Sequence, residues 1–165
     1  MRPAGLTLRD ATPSDTEAVY QVTKAAYEEY RGSLDPPSGV DKETLEAAEN
    51  ALHEGSAVLA LVDGIVVGAA RYEQRDNGSL YVGRLAVLPS HRRRGIGRAL
   101  MGAVEERARR LGSARVTLGV RDQLPQNRAF YESLGYRVDG HRSHPGYDHV
   151  TWTGMSKALE TRKVC

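Results

Sequence analysis

Apolar positions along this chain fall first at helical spacing, then in alternating runs, then at helical spacing again. Leu6 to Arg9 predicts a short opening strand. Beyond Thr12-Pro13, Ser14 and Glu17 are spaced as a capping box, and Ala18, Val19, Val22, Ala25 and Ala26 trace one helix face down to about Tyr30. Gly32 to Gly39, with Pro36-Pro37 inside it, breaks that helix. A second helix is expected from Asp41 to His53, with Leu45, Ala48 and Leu52 on one side and Gly55 as its stop.

A meander of strands follows. Ser56 to Val62 and Ile65 to Gln74 flank Asp63-Gly64, a strong hairpin signal, and Asn77-Gly78 marks a second turn. Ser79 to Leu88 is the fourth strand, stopped by Pro89. Gly97 to Leu111 has a helical period, with Ala99, Leu100, Ala103, Val104, Ala108 and Leu111 inward and Gly112 as its end. Ala114 to Val120 reads as a buried strand and Pro125 to Leu134 as a short helix capped by Gly135. Tyr136 to His141 and Val150 to Lys157 supply two last strands. The order βααβββαβαββ predicts an α/β (α+β) protein, one mixed sheet covered by helices in a single domain over residues 1–160 with a tail at 161–165.

Composition narrows the classes. The chain has 165 residues, 40% hydrophobic and 27% charged, which describes a globular domain with a real core. No apolar run is long enough to cross a bilayer, and the first residues lack the apolar core of an export signal, so no membrane association and a cytoplasmic location are expected. The single cysteine, Cys165, excludes an internal disulfide, and the five histidines show no metal-binding spacing, so no metal is expected. A formal net charge of +2 does not announce a nucleic-acid binder. The positive charge is local instead, in Arg92-Arg93-Arg94, Arg98 and Arg107 to Arg110.

That clustering singles out Leu85-Ala86-Val87-Leu88-Pro89-Ser90-His91-Arg92-Arg93-Arg94-Gly95-Ile96-Gly97-Arg98, a strand, a basic glycine loop and a helix start. Glycines let backbone approach a ligand, and a helix start offers unpaired N–H groups with the positive end of its dipole. The segment therefore reads as an anion cradle; a solvated basic corner with turn glycines is the plainer alternative. It is not a triphosphate loop, since Gly-x-x-x-x-Gly-Lys is absent. Nor is it a dinucleotide fingerprint, since Leu100 stands where a third glycine belongs.

The run Arg92-Arg93-Arg94-Gly95-Ile96-Gly97, preceded by Leu85-Ala86-Val87-x-Pro89, resembles motif A of the GNAT superfamily of acyl-CoA-dependent N-acetyltransferases. Asn127-Arg128-Ala129-Phe130-Tyr131-Glu132-Ser133-Leu134-Gly135-Tyr136 resembles the same family's later helix-and-strand signature. The resemblance implies acetyl-CoA as cosubstrate and acetyl transfer to a primary amine in a ternary complex. Backbone N–H groups of Arg92, Arg93, Arg94, Gly95, Ile96, Gly97 and Arg98 would hold the pyrophosphate. Leu85, Ala86 and Val87 would pair with the pantetheine arm, and an N–H there would polarise the thioester carbonyl. Asn127 would bond the same arm; as a residue at a helix start it has an ordinary capping alternative. Tyr131 would protonate the departing thiolate, unless it is simply an aromatic packed on Phe130 and Tyr136.

Family members commonly carry a glutamate on the fourth strand, where this chain has Tyr81, so Glu73 on the third strand is the nearest carboxylate for a general base, with a water-relayed path or an amine that arrives neutral left open. A solvated strand end is the alternative for that residue. A protein of the same fold that binds acyl-CoA without turnover, as a sensor or interaction module, is the competing reading. The resemblance implies an acceptor side lined by Tyr27, Tyr30, Asp35 and the segment from His141 to Asp148, where Asp35 or Glu28 would attract a cationic amine, with no acceptor named by the sequence. Exposed sheet edges and apolar helix faces are what a homodimer would use.

Overall fold

The structure, a computed structural model, describes residues 3–54 and 56–160. They form two compact units, one of residues up to Glu73 with Val82–Glu106, the other of Gln74–Tyr81 with residues from Arg107 onward.

The first unit holds β1 (Leu6–Asp10), α1 (Thr16–Tyr27), α2 (Gly39–Lys42), α3 (Leu45–Glu54), β2 (Ser56–Val62), β3 (Ile65–Gln74) up to Glu73, most of β4 (Ser79–Val87) and most of α4 (Ile96–Arg110). Its strands lie in the order β1-β2-β3-β4. β1 and β2 pair antiparallel from Leu6 opposite Val62 to Asp10 opposite Val58. β2 and β3 form the expected hairpin, closing on Val62 opposite Ile65. Asp63 and Gly64 both take positive φ, 50° and 82°, as the right-handed twist of a two-residue hairpin requires. Val19 and Val22 of α1 pack on Leu59, Leu61 and Ala69, so the helical stripe of α1 meets the alternating face of the sheet. Ala25, expected on that stripe, is exposed. At Gly68 of β3, a Cβ would lie 2.9 Å from the Ala86 carbonyl and 3.1 Å from Leu100 Cδ1, so the absent side chain lets β4 and α4 close on β3.

Two expected helix starts are corrected. The capping interaction before α1 lies at Thr12 and Asp15, where the Asp15 carboxylate accepts from the Thr12 N–H at 2.7 Å while Arg9 grips it with both terminal nitrogens. A charged acceptor that meets a backbone donor and a guanidinium together outcompetes Ser14 and Glu17, and Pro13–Asp15 becomes a 3-10 turn. The single helix expected from Asp41 is two. Glu43 leaves the helix with extended backbone (φ −68°, ψ 131°), and Thr44 Oγ1 then accepts from the Ala47 N–H to start α3. Gly55, the expected stop, lies outside the described residues.

The second unit holds the start of β4, the last turn of α4, β5 (Arg115–Arg121), α5 (Pro125–Ser133), β6 (Arg137–Arg142) and β7 (Trp152–Ala158). β7 lies between β5 and β6 and pairs antiparallel with both. Gly112 (φ 76°) ends α4 and Gly135 (φ 94°) follows α5, as their sequence positions predict. Leu111, expected inward, is 48% exposed, because it follows the last helical residue rather than sitting on the helix's inner face.

Candidate active site

The first unit builds the loop that the sequence singled out. β4 ends at Val87, Pro89–His91 makes a 3-10 turn, and α4 begins at Ile96. Between turn and helix the backbone enters the left-handed region twice, at Arg93 (φ 62°) and Gly95 (φ 79°). Alternating left- and right-handed residues turn successive N–H groups toward one side, the geometry of an anion-binding concavity. The Ala99 N–H donates to the Gly95 carbonyl at 3.0 Å as the helix begins, so the earlier N–H groups of Ile96, Gly97 and Arg98 have no partner inside the helix. The two left-handed residues and the free helix start therefore fall in one stretch of backbone.

The three arginines are not equivalent. Arg93 and Arg94 are exposed. Arg92 turns inward: its Nε donates to the Val87 carbonyl at 3.2 Å, one terminal nitrogen to the Ala26 carbonyl at 2.8 Å, and the other pairs with Glu29. Its backbone N–H already donates to Pro89. Arg92 ties the loop to α1 and β4, and the groups left to meet an anion begin at Arg93.

β4 leads into this loop. The Ala86 carbonyl faces β3 at Gly68, so by the alternation of a strand the backbone groups of Leu85 and Val87 face the other edge. On that edge the Tyr27 hydroxyl donates to the Leu85 carbonyl at 3.0 Å and Arg92 Nε to the Val87 carbonyl.

Beside Leu85 lies a polar cluster that the sequence reading missed. Arg71 of β3 makes a two-pronged pair with Glu43 at 2.7 and 2.8 Å, both side chains about nine-tenths buried. Lys24 donates to the Val40 carbonyl. Burial pushes the Glu43 carboxyl up, but the bonded Arg71 and nearby Arg84 and Lys24 outweigh it and hold the carboxyl below its ordinary value. Burial raises the Tyr27 hydroxyl despite the opposing pull of Arg84, Arg71 and Arg92. Thr44, a good cap three residues before Ala47, was the one sequence signal that the helix breaks and releases Glu43.

Glu73 lies at the exposed end of β3, five residues beyond Gly68, about 16 Å at the usual rise of a strand.

In the second unit, α5 carries Asn127 and Tyr131. Asn127 is the third residue of the helix and Leu124 precedes its first residue, so the capping alternative for Asn127 does not hold. Tyr131 is half-buried, with its ring edge-on to Phe130 at 5.1 Å and to Tyr136 at 5.9 Å. Its backbone carbonyl accepts from the N–H groups of Leu134 and Tyr136, which fixes the ring's base at the end of the helix. Tyr81 lies under the Arg75 guanidinium at 4.3 Å. In the β6–β7 connection the Tyr147 ring lies edge-on to His144 and His149, and burial with nearby Arg121 lowers the His144 pKa. Among the described residues no group of three or more His, Cys, Asp or Glu side chains is placed to hold a metal. No described helix is long and apolar enough to cross a membrane.

The model of the acetyltransferase (GNAT) family matches residues 17–136. An uncharacterized N-acetyltransferase of Mycobacterium bovis is 32% identical over 81 residues, covering 49% of this chain and 52% of that protein. The matches span about half or less of the length of the curated relatives. Ard1 of Thermoplasma volcanium superposes with a TM-score of 0.77 at 22% identity, covering 95% of this chain and 99% of the other. The PaiA N-acetyltransferase of Thermoplasma acidophilum, solved in complex with coenzyme A, gives 0.77 at 17%, covering 93% and 99%. At these identities the structures establish a shared fold. With a family match that runs through both the basic glycine loop and the Tyr131 helix, the chain belongs to the GNAT acetyltransferase family.

Proposed function

We propose that this protein transfers an acetyl group from acetyl-CoA to a primary amine by direct attack in a ternary complex. The observation that carries the reading is the loop from Arg93 to Arg98, where two left-handed residues and a free helix start gather backbone donors in one place. Those groups suit a diphosphate, which several N–H donors and a helix dipole stabilise without a side-chain charge. The coenzyme A held by the PaiA protein of the same fold supports the choice of ligand.

Bound acetyl-CoA supplies an activated thioester. The N–H groups of Leu85 and Val87, on the β4 edge away from β3, are the donors for the pantetheine arm and the thioester carbonyl; the carbonyls there already accept from Tyr27 and Arg92. Asn127 contributes a further hydrogen bond to the arm. The amine nitrogen forms the new C–N bond as the C–S bond breaks; the departing sulfur takes the Tyr131 proton, and the nitrogen's surplus proton passes to Glu73, directly or through water. The motif around Tyr131 and the family match support that assignment, and the exposure of Glu73 favours the water route. The same proposal includes a single domain over residues 1–160, a cytoplasmic setting, and a homodimer formed through exposed sheet edges and apolar helix faces.

Initial-rate kinetics test the reading. Varying acetyl-CoA and amine together gives intersecting reciprocal plots for a ternary complex and parallel plots for an acetylated enzyme. Coenzyme A binding with no turnover on any amine supports the alternative of a non-catalytic sensor, which the missing strand-four glutamate keeps in view.

A further inference from the structure

The cluster beside Leu85 holds more positive charge than it uses. Arg71 spends both terminal nitrogens on Glu43, so that pair is closed, although its Nε, like that of Arg84, is buried without a hydrogen-bond partner. Arg84 of β4 is half-buried, and its Nε is shut off from solvent with no hydrogen-bond partner. Among the described residues no carboxylate forms an ion pair with Arg84. Lys24 is already engaged by the Val40 carbonyl and the Tyr20 ring. Burying an Nε–H without a partner is costly, and it fixes Arg84 with its terminal nitrogens outside the closed Arg71–Glu43 pair.

Its surroundings hold the fork in place. One terminal nitrogen of Arg84 lies against the backbone at Gly39, where a Cβ would sit 3.0 Å away. Arg84 also directly precedes Leu85, whose N–H is one of the β4 donors proposed for the pantetheine arm and the thioester carbonyl.

We propose that Arg84 binds a carboxylate carried by the acceptor, so that the amine acetylated here belongs to an amino acid or a similar small amino carboxylate. The inference rests on the transferase reading and specifies its acceptor. An arginine fork matches a planar carboxylate with two parallel hydrogen bonds, and a carboxylate would balance the Arg84 charge. A phosphoryl group, carrying about −1.5 to −2 charges, would face the Glu43 carboxylate as well as Arg84.

Matched amines decide the matter: β-alanine against propylamine, phenylalanine against phenethylamine, and lysine against cadaverine, with phosphoethanolamine as the phosphate arm. Thiol release from acetyl-CoA is followed for each, after circular dichroism has verified the fold of every variant. The expected result is about a tenfold higher kcat/KM for the carboxylated member of a pair, the usual order for a charge-assisted contact. That ratio collapses toward one in Arg84→Gln, recovers in part in Arg84→Lys, and shrinks in Gly39→Ala, where the new methyl displaces the fork. A ratio near one in the wild type overturns the proposal, as does an equal loss for both members in Arg84→Gln, or a preference for phosphoethanolamine over the carboxylates. If no amine supports release, the transferase reading fails separately. Nitrogen-15 spectra then decide on the anion site: a shift of the Arg84 Nε–H resonance with β-alanine but not propylamine upholds it, and an unmoved resonance overturns it.

Discussion

The Tyr27 hydroxyl, at the end of α1, donates to the backbone carbonyl of Leu85 on β4 at 3.0 Å. This bond joins the last turn of a helix to one of the two strand residues proposed to meet the pantetheine arm and the thioester. Arg92 makes the parallel connection two residues on, to Val87 and to the carbonyl of Ala26. The anion loop and the β4 edge are thereby held from the same helix end. Tyr27→Phe removes the donor and leaves a carbonyl to find another partner. The expected cost is about 1 kcal/mol of stability in urea unfolding, with a several-fold rise in the KM for acetyl-CoA.

Gly95 is expected to control coenzyme A affinity. Its φ of 79° lies where an L side chain is strained, so Gly95→Ala costs about 1–2 kcal/mol if the loop keeps its shape and otherwise tilts the N–H donors away. Calorimetry should show coenzyme A binding weakened about tenfold or more. Unchanged affinity would remove the loop backbone from the site.

Glu43→Gln should be among the more destabilising single changes in the first unit. It leaves Arg71, about nine-tenths buried, facing a neutral amide, and breaking one side of a buried pair costs about 3–5 kcal/mol. Replacing Glu43 and Arg71 together by Gln and Met should cost less than Glu43→Gln alone, which denaturant midpoints on both variants will read.

Acid stability follows from Asp15. The Arg9 fork, foremost, and the Thr12 N–H and hydroxyl hold its carboxyl well below the ordinary aspartate value, against the smaller effect of burial. A depressed folded pKa gives stability that is complete above the unfolded pKa, near 4, and drains away as pH falls toward the folded value. Unfolding followed from about pH 5 downward should therefore show an acid limb that is shallower in Asp15→Asn, with the variant less stable than the wild type at neutral pH.

The hairpin at Asp63-Gly64, the stops at Gly112 and Gly135, and the strand–loop–helix from Leu85 to Arg98 were legible because each depends on local backbone chemistry: a positive φ, a helix end or an alternating run. The Arg71–Glu43 pair was not legible. Its partners are 28 residues apart, and the helical spacing of Leu45, Ala48 and Leu52 hid the break that frees Glu43. Arg92 was misleading for a similar reason. In sequence it is one of three like charges, and only the folded chain brings the Glu29 carboxylate and the Ala26 carbonyl to it. Long-range charge partners leave no periodic trace.

The most direct test of the account is free-thiol release from acetyl-CoA by the purified full chain, with and without an amine. The account predicts release that depends on the amine, is matched mole for mole by N-acetylated product in mass spectra, and falls at least about tenfold in Tyr131→Phe at unchanged coenzyme A affinity. Release that ignores the amine, or none across the panel while coenzyme A binds, would contradict it.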